Sequence, residues 1–144
     1  MGALSNIPPH AVLPLDAYDG DSLRRAAERA DQRLLAVDFA GATGREDVLA
    51  AIAEAFAFPA YFGGNLDALY DCVTDLKPLS DAEQPGFLVI LRNLPDCEGY
   101  GREQRNALLD VFRDAADFFY DQDTAFRVFY SVGGAAVRKS PARA

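Results

Sequence analysis

The chain has 144 residues, half hydrophobic and a quarter charged, with a formal net charge of −8 and an isoelectric point near 4.5. That composition suits one globular domain, long enough to bury a core without disulfides or metals. Its excess of carboxylates repels phosphate backbones and anionic membranes and attracts basic partners, so direct nucleic-acid binding and membrane association are poor expectations.

Residues 1 to about 20 are rich in Pro, Ala and Asp and read as a loosely ordered leader. Met1 to His10 has neither a basic start nor a long apolar run, so the expectation is a cytoplasmic protein with no signal peptide and no spanning helix. His10 is the only histidine, which argues against serine and cysteine hydrolase constellations. With Cys72 and Cys97 it has no ligand spacing for zinc, and the two cysteines make no disulfide framework. GxGxxG and P-loop motifs are absent, and no cofactor or metal is expected.

From Asp21, a plausible N-cap, the run Ser22 to Ala30 predicts a helix. Leu34 to Ala40, ended by Gly41, suits a buried strand. Thr43 and Glu46 have capping-box spacing ahead of a helix that carries Val48, Leu49, Ile52 and Phe56 on one face. Phe58-Pro59 closes it, because proline pushes its predecessor out of helical geometry. A loop, Ala60 to Gly64, leads to a second helix from about Asn65 to Leu76, with Cys72 a buried free thiol in its apolar pattern. After a polar stretch from Lys77 to Pro85, Phe87 to Leu91 is a continuous apolar run fit for a central parallel strand. Glu103 opens another amphipathic helix with Leu108, Val111, Phe112 and Ala115 inward, and Phe126 to Val132 is a third strand. The expected fold is α/β, a small three-stranded, mostly parallel sheet packed with helices. The division expected is a leader with a short helix over 1–33, a domain over 34–132 and a disordered basic tail over 133–144.

At 100° per residue, Leu66, Leu69, Val73 and Leu76 gather on one side of the second helix. Asp67, Asp71, Thr74 and Asp75 fall on the opposite side. Asp67, Asp71 and Asp75 stand at i, i+4 and i+8, a like-charge stack that costs a few tenths of a kcal/mol per pair. Asp75 also lies at the end where the helix dipole disfavours an acid. Spacing alone is equally compatible with a solvated face. Tyr61 and Phe62 before the helix, and Tyr70 at the edge of the acidic arc, add aromatic anchors of the kind found in protein interfaces, although Phe62 could equally pack inward.

The run Phe58-Pro59-Ala60-Tyr61-Phe62-Gly63-Gly64-Asn65-Leu66-Asp67-Ala68-Leu69-Tyr70-Asp71-Cys72-Val73-Thr74 closely resembles the central segment of the barstar family. Val111-Phe112-Arg113-Asp114-Ala115 is similar to a later helix of that family, and the likeness in element order spans roughly residues 34 to 132. Barstar-type proteins are intracellular inhibitors of secreted bacterial ribonucleases. The resemblance therefore implies a monomeric, non-enzymatic inhibitor that forms a 1:1 complex with a basic microbial ribonuclease of the barnase kind. It implies that Tyr61 stacks on the nuclease rim, that Asn65 and Asp67 pair with basic groups there, and that Asp71 takes the place of the substrate phosphate. Thr74 would lie alongside, and Asp114 would add a second acidic contact. Tyr70 and Leu76 replace larger tryptophans of the family, Gly64 replaces an acid, and Asp75 adds a charge. Those departures leave open an interaction or immunity module that meets another basic toxin or regulatory protein. A Mg²⁺-assisted carboxylate enzyme using Asp67, Asp71 and Asp114 is a third reading, for which the chain shows no phosphate clamp.

Overall fold

The computed structural model describes residues 7–15, 18–59, 64–79 and 84–133. Strands and helices follow as β1 (His10–Pro14), α1 (Gly20–Arg29), β2 (Arg33–Asp38), α2 (Arg45–Phe56), α3 (Leu66–Thr74), β3 (Gly86–Leu94), α4 (Arg102–Tyr120) and β4 (Ala125–Val132). The strands form one sheet in the order β1-β4-β3-β2, parallel at every pairing. β3 is central, which is why Phe87 to Leu91 is buried without alternation while the edges are more polar.

The sheet has four strands, not the three expected. The extra one is β1, drawn from the stretch read as a loose leader, with Val12 in register with Val128 of β4. Pro8, Pro9 and Pro14 disguise Ala11-Val12-Leu13, but proline is tolerated at an edge strand, where half the N–H groups need no partner. The Pro9 carbonyl even joins the ladder, accepting from the Phe126 N–H at 2.7 Å. His10, at the start of β1, packs against Tyr120 at 4.3 Å between ring centroids.

Side chains alternate across the sheet and build a core on each face. One core joins Leu35, Val37, Val89, Leu91 and Val128 to α2, α3 and α4 through Ile52, Phe56, Leu69, Val73 and Phe112. The other joins Leu88, Ile90 and Phe129 to Leu23, Ala26 and Ala27 of α1, closed at the β1 end by Ile7, Ala11 and Leu15. Each fully buried Leu, Ile or Phe contributes about 1.5–3 kcal/mol relative to exposure.

Helix ends differ in detail from the sequence expectation. Asp19, not Asp21, caps α1, accepting from the Ser22 N–H at 3.1 Å and its hydroxyl at 2.9 Å. The Thr43–Glu46 capping box does not form. Gly44 is the N-cap of α2, and Asp47 instead accepts from the Thr43 N–H at 3.0 Å and its hydroxyl at 3.1 Å. α2 stops at Phe56 through a left-handed Ala57 (φ 57°), one residue ahead of Phe58-Pro59. The basic tail beyond Gly133 lies outside the described residues.

Candidate protein-binding groove

Asn65 starts α3. Its side-chain oxygen accepts from the Ala68 N–H at 2.7 Å, and Gly64 before it holds φ 74°, a conformation that favours glycine. Leu69 and Val73 are fully buried, so the 3.6-residue period turns Asp67 and Asp71 to solvent. On α4, Leu108, Phe112, Ala115 and Phe119 are buried, which sends Asp114 and Asp117 outward.

The N-terminal half of α3 and the C-terminal half of α4 pack together and leave a groove of about 820 Å³ between them. Half-buried Leu66, Tyr70, Val111 and Phe118 supply its apolar surface. Exposed Asp67 and Asp71 line it from α3, and Asp114, Asp117 and Asp121 from α4 and its C-cap. Among the described residues, none of these five carboxylates accepts a hydrogen bond or joins an ion pair. The arginine nearest in sequence, Arg113, is held by Asp110 at 2.7 Å. Also among the described residues, no cluster of His, Cys, Asp or Glu is arranged to hold a metal ion. What remains is an apolar trough flanked by unopposed negative charge.

The sequence profile of the family described as Barstar (barnase inhibitor) matches residues 32–131. The chain belongs to the barstar family. The match takes in both groove helices; β1 and α1 precede it. No curated protein matches the chain. Among the described residues, no helix is long and apolar enough to cross a membrane.

Within this barstar-family fold the expected site residues divide three ways. Asp67, Tyr70, Asp71 and Asp114 come together in the groove. Asn65, Thr74 and Asp75 lie on or beside α3 but do not line it. The Asn65 oxygen is committed to the cap, which leaves its amide N–H groups for a partner. The Thr74 hydroxyl turns back to donate to the Tyr70 carbonyl at 2.9 Å, and Asp75 is the C-cap. Tyr61 and Phe62 lie outside the described residues. Cys72, expected buried, is half-buried; desolvation, then the Asp75 and Asp71 carboxylates, push its thiol above the ordinary value. Asp117, Asp121 and Phe118 were not singled out from sequence. Their spacing, with Asp114, Asp117 and Asp121 at i, i+3 and i+7, was the available signal.

Proposed function

We propose that this protein is an intracellular, non-catalytic inhibitor of a basic, secreted bacterial ribonuclease, and that it acts by filling the nuclease active site with α3 and the loop before it. The observation that carries this reading is the groove of unopposed carboxylates on the two helices that lie within the barstar-family match. A ribonuclease active site is built from cationic donors that hold a phosphate. A carboxylate on a rigid helix accepts the same charge-assisted hydrogen bonds without offering a cleavable bond.

Asp71 is the phosphate substitute in this reading, with Asp67 and Asp114 to either side and Tyr70 against the apolar trough. Tyr61 and Phe62 supply aromatic contact from the preceding loop, and the Asn65 amide donates to a carbonyl of the nuclease. Thr74 packs alongside with its proton already committed, and Asp75 acts through its charge, raising the encounter rate.

The test is a titration of RNA cleavage by barnase and a panel of other basic microbial ribonucleases with the purified protein. Stoichiometric inhibition that disappears with Asp71→Ala supports both the function and the site. Full inhibition by that variant would move the site elsewhere, and an absence of inhibition across the panel would remove the ribonuclease reading.

A further inference from the structure

The contacts proposed above give no role to the basic tail. After Asp123 the chain carries no further Asp or Glu, and Gly134 to Ala144, beyond the last described residue, hold Arg138, Lys139 and Arg143 next to Val137. The groove has the complementary composition, an apolar trough with five carboxylates around it. Several arginines of the folded domain are already engaged: Arg33 donates to the Lys77 carbonyl at 2.9 Å, Arg105 pairs with Asp96 at 3.2 Å and Arg113 with Asp110 at 2.7 Å.

Chain length permits the tail to reach the groove. The Gly133 N–H donates to the Leu94 carbonyl at 3.0 Å, so the tail leaves the sheet at the C-terminal ends of β3 and β4. α4 joins these two parallel strands and therefore runs back along the sheet from that same end. At 1.5 Å rise per residue, Val111 lies about 14 Å and Asp121 about 28 Å from the start of α4 at Arg102. From Gly133 an extended chain spans about 17 Å to Arg138, about 20 Å to Lys139 and about 33 Å to Arg143. These distances bracket the length of the groove.

We propose that the tail, from Val137 to Arg143, occupies the α3–α4 groove of its own molecule, with Val137 on the apolar trough and Arg138, Lys139 and Arg143 against its carboxylates. Exposed ion pairs are weak taken singly, but tethering holds these cations at a high local concentration over the groove. The contact is electrostatic and is screened by salt. Where the groove serves a ribonuclease, as in the reading above on which this consequence rests, the tail is a displaceable cover. A nuclease that buries its cations around Asp71 replaces solvated pairs with stronger, desolvated ones.

Lys77 and Lys139 are the only lysines, so zero-length carbodiimide coupling of the full chain reports on the tail directly. Linked peptides identified by mass spectrometry should join Lys139 to Asp71, Asp114 or Asp117 at least fivefold more often than to Asp96 and Glu98, which follow β3 where the tail leaves the sheet. The yield should fall severalfold at about 1 M salt, where screening acts within about 3 Å. Coupling of Lys139 mainly to Asp96 and Glu98, or evenly to all these carboxylates, would overturn the proposal. So would a link recovered only as a covalent dimer that grows with protein concentration, which would put the tail in the groove of a second copy. A second measurement compares backbone amide resonances of the full chain with those of Arg138→Gln/Lys139→Gln/Arg143→Gln at low salt. Shifts confined to α3 and the C-terminal half of α4 are expected, with α1 unmoved; unchanged groove resonances would also overturn the docking. Neither measurement uses a ribonuclease, so the inhibitor reading stands or fails apart from this one.

Discussion

On the α1 side of the sheet, apolar packing and one long-range polar contact tie the layers together. Leu23, Ala26 and Ala27 close over Leu88, Ile90 and Phe129, and the Arg127 guanidinium donates to the Ile7 carbonyl at 3.3 Å, with burial lowering its pKa. Across the sheet, between α3 and α4, five carboxylates face solvent with no internal partner among the described residues. Both regions use amphipathic helices on the same sheet, but α1 mixes Asp21 and Glu28 with Arg24, Arg25 and Arg29, whereas the α3–α4 side gathers charges of one sign around an apolar trough. Stability would be served by lysines among those aspartates, since like charges one turn apart cost a few tenths of a kcal/mol each. The apolar residues of the groove, Leu66, Tyr70, Val111 and Phe118, pack against the core, so the cost falls on the carboxylates alone, and the proposed inhibitor role gives a reason for it.

The contrast breaks most easily at its two extremes. Asp71→Ala should lose about 2–5 kcal/mol of affinity for the cognate ribonuclease, because cationic groups of the nuclease would be left buried without a partner. Its melting temperature should not fall, since Asp71 is exposed and bonds nothing through its side chain. Ile90→Ala should do the reverse. Ile90 is wholly buried against α1, and the cavity should cost about 2–5 kcal/mol of stability by denaturant titration while the folded fraction binds as before. A destabilised Asp71→Ala, or an Ile90→Ala with weakened binding, would show that the two regions are not separable.

The two regions also differed in how far sequence could reach them. The α3 face was legible because it depends on one helix and its own 3.6-residue period: Leu69 and Val73 inward force Asp67 and Asp71 outward. The partnership of α3 with α4 is tertiary, and a wheel drawn for one helix cannot show that Asp117 and Asp121 stand across the same groove. Strand β3 was plain because burial on both faces leaves an unbroken apolar run. β1 was hidden because its three apolar residues sit among prolines and gain their pairing only from β4, more than a hundred residues later. Caps were misread by a residue or two wherever neighbouring acids competed for the role, as Asp19 does with Asp21 and Asp47 with Glu46.

Asp19→Ala sharpens the comparison from the packed side. The side chain caps α1 at the Ser22 N–H and hydroxyl, so its removal should cost about 1 kcal/mol in thermal or denaturant unfolding without touching the groove. Fast hydrogen exchange confined to the first turn of α1 would locate the loss. An equal loss of ribonuclease affinity would mean that α1, across the sheet from the groove, contributes to the interface.

The smallest effect belongs to a carboxylate that, unlike those of the groove, is satisfied internally. Asp38, at the end of β2, accepts from the Asn93 side-chain amide at 2.9 Å and from the Ala40 N–H at 3.0 Å. The Asn93 bond first, and then the Ala40 bond, hold its carboxyl below the ordinary 3.8. A folded-state pKa below the unfolded one stabilises the protein above pH 3.8, and the contribution is lost as pH falls through the lower folded value. Asp38→Asn should therefore reduce stability slightly at neutral pH and flatten the acid limb of the stability profile below pH 4. Gly133 packs against Asn93, itself held at φ 61°, and a Cβ on Gly133 would meet the Asn93 side-chain oxygen at 2.7 Å. An Asp38→Asn acid limb identical to that of the wild type would show that the Asn93 and Ala40 bonds do not favour the charged carboxylate in the folded protein.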